Sequence, residues 1–290
     1  MKHAVVVVAH SILVIAYHLF SQEGEYKVPY ATNQGIRIHY EVEGNGSPLV
    51  LQFGQYFPLD VWYELNYVAT LRDDYRLILV DARGHGDSDK PYDPEAYQLE
   101  LMVQDIVAVL DELGVAKAHY MGYSSGGLTG FGLARFAPQR FYSLIIGGMH
   151  PYDERAGRVA WRQEQIQALE KQTTPEFVAG LEAFMLSIHL PAFSPRMRSR
   201  LLTHDLRALI AWLRQPEQPD FEAILGAITL PCLLYAGEHD SCYALAQKAA
   251  KAIPDATFVS IPSGEHLEDG TWVKILAPHI RELTARAVST

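Results

Sequence analysis

Apolar positions follow two rhythms along this chain. From Tyr26 onward, short runs dense in Val, Ile, Leu and Tyr alternate with longer stretches whose apolar residues recur every three or four positions. Short apolar runs bounded by glycine or proline predict strands, and the three-to-four spacing predicts helices. Residues 27–32 and 36–42 flank Asn33-Gln34-Gly35 and predict a hairpin. Residues 48–53 and 75–81 predict the next two strands. Residues 101–113 are apolar at 102, 103, 106, 109, 110 and 113, a helical period with Gly114 placed to cap it. Strands follow at 118–121 and 141–146. A helix over 124–136 lies between them and should stop near Ala137, because Pro138 disfavours helical geometry in the residue before it.

The alternation breaks over 151–227. Helical patterns appear near 155–171, 175–188, 205–213 and 219–226, with Pro191 and Pro195 punctuating the middle and no convincing strand. A strand over 229–236, a helix over 241–253 stopped by Pro254, a strand over 257–261 and a closing helix over 272–288 restore the pattern. Strands alternating with helices argue for an α/β fold built on a mostly parallel sheet of eight strands flanked by helices. The expected organisation is a core in two parts, 26–150 and 228–290, with a helical cap, 151–227, inserted after the sixth strand.

Residues 4–20 (AVVVVAHSILVIAYHLF) carry no formal charge and follow Lys2. They resemble a secretory signal or short anchor, yet fall short of the roughly 20 residues a spanning helix needs and lack a clean A-x-A cleavage site. Two readings of 1–25 stay open: a signal or anchor, which would make the protein exported or membrane-anchored, or an extension of a cytoplasmic protein. Any membrane contact would pass through residues 4–20. The chain of 290 residues is 49% hydrophobic and 20% charged, as in ordinary globular proteins, and its net charge of −10 with no basic stripe argues against nucleic acid as a partner. Cys232 lies early in one apolar run and Cys242 beyond its end. At about 3.3 Å of rise per strand residue they should sit well over 7 Å apart, too far for a disulfide.

Candidate chemistry centres on Met121-Gly122-Tyr123-Ser124-Ser125-Gly126-Gly127, a G-x-S-x-G pattern between a strand and a helix. There it reads as a tight turn holding the Ser124 hydroxyl clear of the backbone, with Gly122 and Gly126 where a β-carbon would crowd the turn. A serine hydroxyl needs a base, and the base needs a group that fixes its tautomer. Open parallel sheets place such groups after strand ends. Gly237-Glu238-His239-Asp240 and Ser263-Gly264-Glu265-His266-Leu267 follow the last two strands. Asp240 and His266 are therefore the candidate acid and base, with Glu238 and Asp153 as competing acids. His150, His239 and His279 read as structural or surface residues.

In these four motifs, G-Y-S-S-G at 122–126, D-A-R-G-H-G-D-S at 81–88, G-E-H-D at 237–240 and G-E-H-L at 264–267, the chain resembles the α/β-hydrolase superfamily over about residues 28–290. The resemblance implies Ser124 as nucleophile, His266 as general base and then acid, and Asp240 as the orienting carboxylate. It implies an oxyanion hole from the backbone N–H groups of Gln55 and Ser125. The loop after the third strand usually begins His-Gly in the family; here it reads Phe53-Gly54-Gln55, so a phenyl ring takes the place of the imidazole. Arg83-Gly84-His85-Gly86 is expected to be a structural turn. Serine at the elbow argues against relatives resembling haloalkane dehalogenases and epoxide hydrolases, which use aspartate there.

No H-E-x-x-H, cysteine cluster or P-loop occurs, so no metal or other cofactor is implied, and the expected partner is a small-molecule substrate. Phe53, Tyr56, Tyr123, Met149, Phe184 and Leu267 are the candidate pocket residues, with Trp161, Phe177, Leu181, Met185 and Phe193 as further cap residues that either line it or pack the cap onto the core. Arg196, Arg198 and Arg200 read more readily as a solvated face than as a grip on a substrate carboxylate. The leading expectation is an esterase or lactonase of small to medium, largely apolar substrates. A C–C or amide hydrolase and a ligand-binding receptor on the same fold remain alternatives.

Overall fold

The computed structural model describes residues 29–152, 155–188, 190–217, 221–267 and 270–288. The apolar segment 4–20 and Asp153 lie outside them. Eight strands form one sheet in the order β1-β2-β4-β3-β5-β6-β7-β8. They are β1 Tyr30–Asn33, β2 Ile36–Glu43, β3 Ser47–Gln52, β4 Tyr75–Val80, β5 Ala118–Tyr123, β6 Phe141–Gly147, β7 Cys232–Gly237 and β8 Ala256–Ile261. β2 runs antiparallel to both β1 and β4, and every other pairing is parallel. The expected mostly parallel eight-stranded sheet is therefore present. Strands β5 and β7 are buried along their whole length, as parallel strands covered on both faces must be.

Among the described residues the α-helices are α1 Val61–Glu64, α2 Tyr67–Leu71, α3 Leu99–Glu112, α4 Ser125–Phe136, α5 Arg155–Leu169, α6 Thr174–Ser187, α7 Pro195–Leu201, α8 Leu206–Leu213, α9 Tyr243–Ala252 and α10 Trp272–Val288. Helix α4 ends at Ala137 ahead of Pro138, and Gly114 follows α3 at φ +63°, as the sequence predicts. No described helix is long and apolar enough to cross a membrane.

The stretch from β6 to the start of β7 departs from the expectation in three places. Pro195 does not break structure; it opens α7 from its first position, where its fixed φ suits a helix start, and Ser194 Oγ accepts the Met197 N–H at 3.2 Å. Of the helix expected near 219–226, the described residues form a 3-10 turn, Glu222–Ala227, rather than an α-helix. The strand expected from 229 begins only at Cys232, after Pro231.

Two apolar clusters lie on opposite faces of the sheet. Leu49, Leu51, Leu77, Leu79, Met121 and Ile145 point to one, with Trp272 and Leu276 of α10. Val50, Ile78, Tyr120 and Ile146 point to the other, against α3 and α4. This is the period-two alternation of strands buried on both sides.

Candidate active site

The turn between β5 and α4 carries Ser124 at φ +53° and ψ −118°, a conformation that side chains adopt rarely and only when the surroundings impose it. The surroundings do. The Ser124 N–H donates to Gly147 O at 2.9 Å, and the Ser124 carbonyl accepts from Leu128 N–H at 3.1 Å. A β-carbon on Gly122 would fall 2.2 Å from Gly126 O, and one on Gly126 would fall 2.2 Å from Gln52 O. Both glycines are thus dictated by sterics.

The neighbouring parallel strands β7 and β8 end beside this turn. His266 Nε2 lies 3.1 Å from Ser124 Oγ, and His266 Nδ1 lies 2.9 Å from Asp240 Oδ2. Asp240 is 5% exposed. Burial pushes its carboxyl pKa up, but the hydrogen bond and charge of His266 and the Cys242 N–H on Oδ1 at 2.8 Å outweigh that and hold it below the ordinary carboxylate value. An ionised Asp240 fixes the imidazole proton on Nδ1, which leaves Nε2 to accept from the serine. The competing Glu238 is exposed and accepts instead from Ser260 Oγ at 3.1 Å and Ser263 N–H at 3.3 Å. His239 reaches only Glu265, at 3.9 Å, and takes no part in this line of bonds.

Ser125 follows Ser124 directly, Gly54 packs against the Ser124 side chain, and Gln55 lines the same cavity as Ser124. Ser125 opens α4, so its N–H is one of the four that a helix leaves without an internal acceptor. The loop 54–57 is a tight turn closed by the Phe57 N–H on Gly54 O at 3.5 Å, with Tyr56 at φ +74°. His204, from the loop between α7 and α8, meets Tyr56 O through Nε2 at 2.6 Å. Burial pulls the His204 imidazole down to about 4, so at neutral pH it is uncharged and its single N–H serves that carbonyl. Phe53, where the family usually has histidine, stacks on Tyr123 at 5.1 Å between ring centroids and meets Trp62 edge-on. Its ring is a packing element beneath the loop. Tyr123 in turn donates its hydroxyl to His266 O at 2.6 Å.

Ser124 and His266 open into a cavity of about 700 Å³. Phe53, Tyr56, Tyr123, Phe184 and Leu267 line it as expected, joined by Trp161, Phe177 and Leu181. Met149 is not among the lining residues: it belongs to the apolar cluster on the other face of the sheet, packed against Gly127 of α4. Met185 and Phe193 also pack rather than line it. Gln165 and Gln172 of the α5 region do line it, and sequence reasoning missed them because a polar residue on an amphipathic helix is normally solvated. Glu265 is the one ionisable acid or base besides His266 and the tyrosines among the described lining residues.

The arginines of α7 were expected on a solvated face. Arg200 instead reaches Asp60, Asp81 and Asp87, carboxylates from two core segments, the loop before α1 and the 81–88 turn. Arg196 pairs with Asp60 and Glu41, and Arg198 with Glu182. Asp81 also accepts from the N–H groups of Leu59 and Asp87 and contacts His39 Nδ1 at 2.7 Å. Within the same motif, Arg83 forms a buried pair with Asp105, which bears out the structural reading of 83–86.

Comparison with known proteins agrees with this fold. Residues 54–172 match the model of the alpha/beta hydrolase fold family. Epoxide hydrolase 4 of Mus musculus is 30% identical over 196 residues, covering 63% of this chain and 54% of that protein, so the match spans about half of that relative's length. The 3-oxoadipate enol-lactonase 2 of Acinetobacter baylyi is 27% identical over 257 residues, 86% of this chain and 88% of that one. The crystal structure of esterase RhEst1 from Rhodococcus sp. ECU1013 superposes with a TM-score of 0.72 at 28% identity, covering 88% of this chain and 98% of that one. The chain has the α/β-hydrolase fold, and the relatives and structural neighbours it resembles are hydrolases.

Proposed function

We propose that the protein is a serine hydrolase cleaving carboxylic esters or lactones of small to medium apolar substrates through an acyl-enzyme. The observation that carries this reading is the unbroken line from Ser124 Oγ through His266 to Asp240 at the floor of an apolar cavity. In this reading His266 Nε2 takes the hydroxyl proton as Ser124 attacks the substrate carbonyl. The Gln55 and Ser125 N–H groups stabilise the resulting oxyanion, each such donor being worth about 10²–10³ in rate. The imidazolium then gives the proton to the leaving oxygen, and water repeats the sequence on the acyl-serine.

A serine nucleophile favours acyl transfer over epoxide opening on chemical grounds. Attack on an epoxide would leave an alkyl ether on Ser124, which offers water no carbonyl, whereas an acyl-serine does. The lining supports an uncharged substrate, because no lysine or arginine is among the described lining residues to pair with a carboxylate. Residues 151–227 would act as the cap that closes the pocket and sizes it.

The test is hydrolysis of p-nitrophenyl esters from acetate to decanoate. Turnover with an optimum at intermediate chain length is expected; silence across the series with folded protein would sink the esterase reading. Within the same mechanism His204 pins the oxyanion loop. His204→Phe is expected to cost about 1–3 kcal/mol of stability, the cost of leaving a sheltered carbonyl without its partner. It should lower kcat more than it raises KM, as steady-state kinetics at one temperature would show.

A further inference from the structure

We propose that Asp240, Cys242 and His266 form a binding site for a thiophilic divalent cation such as Zn²⁺, and that its occupancy switches off the hydrolysis proposed above. The ligand atoms of these three residues all lie within 4.8 Å of one another. Tetrahedral zinc takes sulfur, imidazole nitrogen and carboxylate oxygen at about 2.0–2.3 Å, which places neighbouring ligand atoms about 3.3–3.6 Å apart. The Asp240 Oδ2 to His266 Nδ1 separation is 2.9 Å, so it needs to widen by only a few tenths of an ångström to span a cation.

The donor set has a soft member, Cys242, whose side chain already hydrogen-bonds the Asp240 carboxylate. Cys242 is not disulfide-bonded and is half-buried. It stands at the N-cap position of the ten-residue helix α9, beside the Asp240 carboxylate. Its own N–H already fixes the Asp240 carboxylate from the opposite oxygen at 2.8 Å. Asp240 is buried, while the His266 side chain is 41% exposed, so a cation has a fixed ligand behind it and a solvent path in front. The fourth position is left for water.

The proton balance explains the inhibition. Binding displaces the thiol proton to solvent, and the imidazole proton moves through water from Nδ1 to Nε2; no electron is transferred. A protonated Nε2 no longer accepts from Ser124 Oγ, so the serine loses its base. Asp240 at the same time stops orienting the ring and becomes a metal ligand.

Two measurements separate this site from the hydrolase reading on which its consequence rests. The first uses Ser124→Ala protein, which needs no turnover. Zn²⁺ should bind with one-to-one stoichiometry by calorimetry, and Co²⁺ should give a thiolate charge-transfer band that Cys242→Ala removes. Absence of both would overturn the site whatever the enzyme hydrolyses. The second titrates ester hydrolysis with ZnCl₂. Inhibition should be reversed by EDTA, and Cys242→Ala, each protein scaled to its own metal-free rate, should need at least roughly tenfold more zinc for half-inhibition, since losing even an outer partner of a ligand costs about 10–100-fold in affinity. Equal zinc sensitivity of the two proteins would assign inhibition to another site.

Discussion

Replacing Ser124 with alanine is expected to lower kcat by roughly 10⁶, the cost of removing a nucleophile from such a unit, with folding intact. The change removes one oxygen whose hydrogen-bond partner, His266 Nε2, stays half-exposed to water, so no buried polar group is orphaned. The strained backbone at φ +53° stays, because alanine also carries a β-carbon. Stability should therefore move little while turnover disappears. Comparing ester hydrolysis and thermal unfolding of wild-type and S124A protein checks both halves. Turnover surviving at a tenth of the wild-type rate in purified S124A protein would show that the reaction does not pass through this oxygen.

The largest expected effect on stability is at Arg200. Its guanidinium faces Asp60, Asp81 and Asp87, and the first two side chains are 1% and 0% exposed. Arg200→Met keeps most of the apolar stem and leaves those carboxylates short of a cation. Breaking a buried pair from one side costs about 3–5 kcal/mol, and the lower end applies here because His39, Arg196 and two backbone N–H groups still serve the carboxylates. About 3 kcal/mol corresponds to a Tm drop of about 6–12 °C at this chain length. Arg198→Met is the control: Arg198 is itself 49% exposed, and pairs made by surface side chains contribute less than about 1 kcal/mol.

The pH dependence follows from Asp81. Burial raises its pKa, but the His39 hydrogen bond and the His39 and Arg200 charges more than reverse that, leaving it below the ordinary value of 3.8. A lowered folded-state pKa contributes stability that is complete above the unfolded value and is lost as pH falls through the folded one. The gap between wild-type and R200M protein in calorimetry should thus be full at neutral pH and shrink below about pH 4. A gap that persists unchanged into acid would assign the loss to packing.

Most of the core was readable from local pattern. The strands sit between glycine and proline signals with apolar runs too short for helices, and α3 and α4 end at their own stop signals, Gly114 and Pro138. Helix α7 was hidden because Pro195 signals both a break and a first helical position, and only the Ser194 cap decides between them. Met149 and Leu267 are alike in sequence, each an apolar residue just after a strand, yet one packs beneath the sheet and the other faces the cavity.

The sequence by itself determined the strand-helix alternation, the elbow with its two obligatory glycines, and the order serine, acid, histidine, because each depends on residues within one turn or one strand end. Tertiary structure alone decided that Asp240 rather than Glu238 meets His266, that Cys242 stands beside both, and that Arg200 joins three carboxylates lying 113–140 positions earlier. Those are distances between side chains from different strands and loops. They are set by how the sheet twists and how the helices between β6 and β7 seat on it, which no local pattern encodes.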